Sequence, residues 1–245
     1  MSGLGEQVRL ELGDDGIAVV SLAQPKRLNV VDLATRDGLI EAFTAVRDLP
    51  DVRVLLLRAE GRHFSAGADL REFGTAETIF EARRIRWDRD PWYLLRSLTQ
   101  PKVAALHGYT LGSGLEMSLM CDFRVAAADT MVGLPEAKLG MLPAAGGTRS
   151  ISTVLKPSVA LPLVLSADPI DAQEALRLGL VHEVVAEGED VERAARQLCA
   201  RLAALPPSAA RAATRAVRAA VDLPIFQGMQ VERRLAKLAA SSGFH

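Results

Sequence analysis

Two glutamates carry the chemistry that this sequence offers. Glu116 stands in LGSGLEM (111–117) and Glu136 in GLPEAKLG (133–140). Both have apolar neighbours, Leu115 and Met117 for the first, Leu134 and Pro135 for the second. Burial among such residues raises a carboxyl pKa toward working pH, where the group can take or give a proton. A plainer reading stands beside this one. A carboxylate in the first turn of a helix stabilises it by about 0.3–1 kcal/mol with no chemistry at all, and Glu136 fits a solvated loop. Spacing along the chain leaves open whether the two meet.

Two carboxyls gain a task where negative charge develops, and two short turns offer such a place. In FSAGADL (64–70) the backbone N–H of Ala68 follows Gly67, which lets the chain approach a ligand. In LGSGLE the N–H of Ser113 opens a helix whose first amides lack partners within it. Converging on one oxygen, the two N–H groups make an oxyanion hole. Glutamates beside it would suit proton transfer next to a polarised carbonyl. Small residues in either turn are equally explained by close packing of strands and helices.

The elements that must position these groups follow from periodicity. KVAALHGYTLGSGLEMSLMCD (102–122) reads as a buried strand, a glycine turn and a helix. Buried strands at Val54 and Val125 also run into loops of small residues. This weak repetition predicts strand–turn–helix units stacked as a solenoid, with their turns on one side. Residues 8–22 read as a hairpin broken at Gly13–Gly16. Asp32 caps a helix to about Leu49, and Asp171 with Glu174 boxes a helix that stops at Gly179. Residues 75–97 read as one amphipathic segment containing Trp87, Trp92 and Tyr93, aromatic side chains that fit a pocket wall or the core. From Asp190 the pattern is helical. The expected division is a core over 1–189 and a helical region over 190–245. Leu198, Leu202, Leu205, Val217, Leu235 and Leu238 in that tail call for partners, so a trimer or two stacked trimers is expected.

Bulk properties remove other classes. The 245 residues can bury a sizeable core, and 49% hydrophobic with 24% charged residues is ordinary for a globular protein. Net charge is −1, which leaves no global case for nucleic acid or an anionic membrane. No apolar run reaches the roughly 18 residues of a membrane span. No signal peptide is visible, and Cys121 and Cys199 give neither a disulfide framework nor zinc spacing. A cytoplasmic location is therefore expected. The four histidines (His63, His107, His182, His245) lack metal spacing. GSGLEM (112–117) begins like a dinucleotide-binding motif, with Glu136 downstream. Met117 stands where its third glycine should be, and no alternating βαβα pattern precedes it.

FSAGADL, KVAALHGYTLGSGLEMSLMCDFRVAAADT, GLPEAKLGMLPAAGGT and DAQEALRLGLVHEVV, in that order over nearly the whole chain, resemble the enoyl-CoA hydratase/isomerase (crotonase) family. The resemblance implies an α/β fold, a spiral of ββα units followed by a helical trimerisation region. It implies acyl-CoA thioester substrates, coenzyme A being part of the substrate, and no separate cofactor or metal. It places oxyanion donors at Ala68 and Ser113 and catalytic glutamates at Glu116 and Glu136. Lys26, Arg27 and Leu28 match the segment that holds the CoA phosphates and pantetheine. Ser65, Ala66, Asp69 and Leu70 flank the adenine and thioester ends, and Trp87, Trp92, Tyr93 and Leu142 fall to the acyl pocket. Retention of both glutamates points to syn hydration of a trans-2-enoyl-CoA. An isomerase or other acyl-CoA enolate chemistry is the alternative, and a member turned RNA-binding protein a third. Ser113 and Ala144 replace glycines usual in the family, and relatives usually continue past SSGFH (241–245) into a last helix.

Overall fold

The computed structural model describes residues 6–78 and 88–241. Trp87 and much of the expected amphipathic segment lie outside that range. The first strands, β1 (Val8–Leu12) and β2 (Ile17–Leu22), form the expected antiparallel hairpin, Val8 opposite Leu22. Helix α1 (Leu33–Asp48) follows its cap, the Asp32 side chain accepting from the Thr35 N–H at 2.8 Å. Then β3 (Val54–Ala59), β4 (Lys102–Leu106), β6 (Phe123–Ala126) and β9 (Glu183–Val184) extend the sheet in parallel, in the order β1-β2-β3-β4-β6-β9. These parallel strands are covered on both faces, which is why IAVVSL, VLLL and KVAAL read as unbroken buried runs.

A second sheet, absent from the sequence reading, explains the spiral. Residues 109–111 were expected to be part of a glycine turn. They form a short strand, β5 (Tyr109–Leu111), which pairs in parallel with β7 (Met131–Gly133). The strand β8 (Ile170–Asp171) closes that sheet antiparallel to β7. So β4 leads through Gly108 into β5, and β6 leads into β7, each unit crossing from the large sheet to the small one. In the preceding unit, β3 leads to Ser65, which makes a single parallel bridge to Thr110 in place of a strand. Each crossing then ends in a turn. These turns are FSAGADL, LGSGLE and GLPEAK, stacked side by side because their strands are.

Helix α2 (Pro91–Ser97) and helix α3 (Ser113–Leu119) pack on one face of the large sheet with α1, around Leu39, Phe43, Leu57 and Leu106. Two helices that follow the third turn, α4 (Gly147–Val154) and α5 (Pro157–Ser166), and then α6 (Ala172–Leu178), complete that layer. The opposite face is covered by α7 (Val191–Ala203), through Ala195, Cys199 and Ala203 with Leu198 and Leu202 alongside. Part of the expected helical tail thus belongs to the core. Helices α8 (Pro207–Asp222) and α9 (Ile225–Ser241) pack mainly on each other. Arg218 ties α8 to the body by a two-pronged pair with Asp122 at 2.7 and 2.8 Å. No described helix is long and apolar enough to cross a membrane.

Candidate active site

The first turn is held by the loop in front of α1. The Val31 N–H donates to the Gly67 carbonyl at 2.8 Å, and the Asp69 N–H donates to the Val31 carbonyl at 3.3 Å. Amides alternate in direction along extended chain, so the Ala68 N–H between these two bonds points away from Val31. Among the described residues it meets no acceptor. The turn is braced from below as well. The Ser65 N–H donates to the Tyr109 carbonyl, and the Leu111 N–H donates to the Ser65 carbonyl, both at 2.9 Å. This bridge sets the first turn against the second. A Cβ on Gly67 would come within 3.2 Å of the Leu111 carbonyl oxygen.

Gly112 begins the second turn at φ 49°, ψ −122°, a conformation that an L residue rarely adopts. Its N–H donates to the Gly133 carbonyl at 2.9 Å, which ties the second turn to the third. The Ser113 N–H, first of α3, has no acceptor among the described residues. The Ser113 carbonyl accepts from the Trp92 indole N–H at 3.3 Å. Trp92 is therefore a core residue beneath the turn, and Arg36 stacks its guanidinium over the ring at 5.2 Å.

Both glutamates lie next to the second turn. Glu116 lies in the first turn of α3, fully buried. Its Oε1 accepts from the Ala145 N–H at 2.9 Å and the Gly147 N–H at 2.8 Å, the amides at the start of α4. Such a helix start favours an acidic partner. Only glycine fits at 147, because a Cβ there would lie 2.6 Å from Glu116 Oε1 and 2.7 Å from Pro143 Cβ. Glu136 follows Pro135 in a 3-10 turn (Pro135–Leu139) next to β7. A Cβ on Gly112 would stand 2.8 Å from Glu136 Oε1, so that oxygen sits directly against the second turn. Its Oε2 is buried with no hydrogen-bond partner among the described residues, and burial pushes its pKa above the ordinary carboxyl value.

The remaining expected residues take varied positions. Lys26 and Leu28 are exposed in the loop before α1, and Leu28 holds a left-handed conformation. Arg27 pairs with Asp32 at 2.9 Å and with Asp69. Ser65 is buried, its hydroxyl donating to the Asn29 carbonyl at 2.8 Å and accepting from the Gly67 N–H. Ala66 donates its N–H to the Leu28 carbonyl at 3.0 Å. Asp69 is held by Arg71 as well as Arg27, which brings its pKa down to about 2. Leu70, Leu142 and Tyr93 are exposed, Tyr93 to 75%, so Tyr93 walls no closed pocket within the described chain. The amide pair at Ala145 and Gly147 was missed from sequence. The glycines of PAAGGT (143–148) were its signal, since consecutive free amides in such turns form anion nests.

Three stacked strand–turn units, two amides at the turns with no acceptor among the described residues, and two buried or half-buried glutamates beside them define an α/β enzyme fold of the crotonase type. The chain belongs to the enoyl-CoA hydratase/isomerase family, whose profile matches residues 13–242. It is 33% identical over 222 residues to an enoyl-CoA hydratase homologue of Mycobacterium tuberculosis, covering 91% of this chain and 85% of that one. It is 33% identical over 229 residues to the 2,3-dehydroadipyl-CoA hydratase of Escherichia coli, covering 92% and 88% of the two chains. The crystal structure of enoyl-CoA hydratase from Bacillus anthracis superposes with a TM-score of 0.88 at 29% identity, over 94% of this chain and 90% of that one.

Proposed function

We propose that this protein hydrates a trans-2-enoyl-CoA to the 3-hydroxyacyl-CoA by syn addition of water, in the cytoplasm and with water as the only co-reactant. The observation that carries the reading is the contrast of two carboxyls beside the second turn: Glu116 gripped by two amides, Glu136 desolvated with its Oε2 lacking a hydrogen-bond partner among the described residues. The thioester oxygen takes up negative charge between the Ala68 and Ser113 amides as the enolate forms. Glu116, oriented by its amides, accepts the proton of the water that attacks C3. Glu136, whose surroundings favour the protonated form, delivers a proton to C2. The exposed loop at Lys26 and Leu28, with Ala66 and Leu70, receives the body of coenzyme A.

Exposed apolar side chains on α8 and α9, Ile225 at 73% and Phe226 at 78% among them, support assembly into a trimer or a dimer of trimers. Light scattering at micromolar concentration should give three or six copies, and a stable monomer would refute that assembly. The reaction itself is tested with crotonyl-CoA. Loss of enoyl absorbance and appearance of 3-hydroxybutyryl-CoA are expected. Faster conversion of a 3-enoyl-CoA than hydration of any 2-enoyl-CoA would establish the isomerase instead.

A further inference from the structure

Two adjacent cations, Lys26 and Arg27, stand in the loop that the hydratase reading assigns to coenzyme A, yet their surroundings differ. Lys26 is exposed and has no ion pair among the described residues. Arg27 is engaged by the protein through both terminal nitrogens. Its Nη1 donates to Asp32 Oδ2 at 2.9 Å and to Gln24 Oε1 at 3.3 Å, and its Nη2 donates to Asp69 Oδ2. Asp32 is the cap of α1, a long helix fixed in the core. Asp69 is the neighbour of Ala68. The guanidinium therefore ties a fixed helix end to the residue that follows the Ala68 amide. Two carboxylates already neutralise this guanidinium, which leaves it a weaker phosphate partner than its exposed neighbour, and a lysine ammonium does not reproduce the planar fork that holds both.

We infer that Arg27 is a positioning residue for the Ala68 amide, and that Lys26 alone of the pair meets the phosphates of the substrate. The backbone ties between the loop and the turn, at Ala66, Val31 and Asp69, set the register of the two segments. Arg27 ties the Asp69 side chain to the cap of α1 and so braces the backbone bonds at Val31 and Asp69 that fix the direction of the Ala68 N–H. Small displacements of an oxyanion donor are costly, since misplacement by about 1 Å can cost 10²-fold.

This inference rests on the hydratase reading, and the experiment separates the two. Crotonyl-CoA is compared with crotonyl-N-acetylcysteamine, a thioester that lacks the phosphates. Arg27→Met should lower kcat about tenfold on both substrates with little change in KM. Arg27→Lys, which keeps the charge, should not restore kcat. Lys26→Met should raise KM for crotonyl-CoA by about two- to fivefold, the scale of an exposed ion pair, and leave the short thioester unaffected. The inference is overturned if Arg27→Met raises KM for crotonyl-CoA alone at unchanged kcat, or if Arg27→Lys recovers full activity. Should the wild-type protein hydrate neither thioester, the hydratase reading fails, and amide exchange then decides the brace. Exchange at Val31 and Asp69 should quicken at least tenfold in Arg27→Met, and unchanged protection there would overturn it. The fold has reason to survive the change, because Asp69 keeps Arg71 and Asp32 keeps Thr35.

Discussion

Glu116 and Glu136 are the same side chain set in two unlike surroundings. Glu116 is buried yet supplied with two amide donors at the start of a helix, so its carboxyl is oriented by hydrogen bonds. Glu136 is less buried, but no donor reaches its Oε2 and no cation offsets it among the described residues. Burial alone therefore does not set the behaviour of a carboxyl. What decides it is whether the hydrogen bonds lost from water are replaced, because each unreplaced bond weighs against the charged form.

The most direct way to break the contrast is to remove the proton chemistry from each side. Glu116→Gln and Glu136→Gln should each lower kcat for crotonyl-CoA by about 10²–10⁴, the range for a positioned acid or base. The double variant should cost far less than the product of the two, since both act on one event. The pair also differs in pH response. Because the Glu136 pKa is raised by burial and the group acts in its protonated form, activity should fall as pH climbs through that raised value. Glu136→Gln should abolish this alkaline limb in a kcat/KM profile, and its persistence would move the acid role elsewhere.

The oxyanion donors come next in size. Ser113→Pro deletes the N–H at a first helical position that otherwise tolerates proline, and should cost about 10²–10³ in kcat. Ser113→Ala should keep most activity. An alanine variant as impaired as the proline one, with circular dichroism unchanged, would give the role to the hydroxyl.

A gentler change sharpens the Glu116 side. Gly147→Ala places a methyl 2.6 Å from Glu116 Oε1, so the carboxylate or α4 must move. A fall of roughly tenfold in kcat is expected from the lost orientation, without a matching rise in KM. Activity at the wild-type level would show that the amide clamp is dispensable.

The smallest effect concerns stability below neutral pH. Asp69, held by Arg71 first and by Arg27, has its pKa lowered from 3.8 to about 2 in the folded chain. Its contribution is thus complete above the unfolded value near 3.8 and disappears as pH falls toward 2. Chemical denaturation of Asp69→Asn should show a shallower loss of stability across that window than the wild type. Identical slopes would mean that the pairs at Asp69 are screened away.

Much of this was legible in the residues. Apolar runs gave the strands, Asp32 and Asp171 gave helix starts, and the motif order gave the fold and the two glutamates. The short strands β5, β7 and β8 were not legible, because two or three residues carry too little periodicity to separate a strand from a turn. Helix α5 passed unnoticed because PSVALPLVLS is apolar on every side and contains an internal proline. Leu198 and Leu202 looked unpartnered in sequence and proved to pack on the sheet, whereas Val217 and Leu238 remain exposed.

What the sequence determined by itself is local: residue types in the turns, the period of each strand and helix, the caps at Asp32 and Asp171, and the apolar flanks of Glu116 and Glu136. These follow from neighbours a few residues apart. Tertiary structure decided which amides serve Glu116, that Gly112 presses against Glu136, and that Arg27 serves Asp69 and Asp32 together. Each of those contacts joins segments more than twenty residues apart or depends on such a junction. It arises only when strands of the small sheet stack the turns side by side, and no local propensity encodes that register.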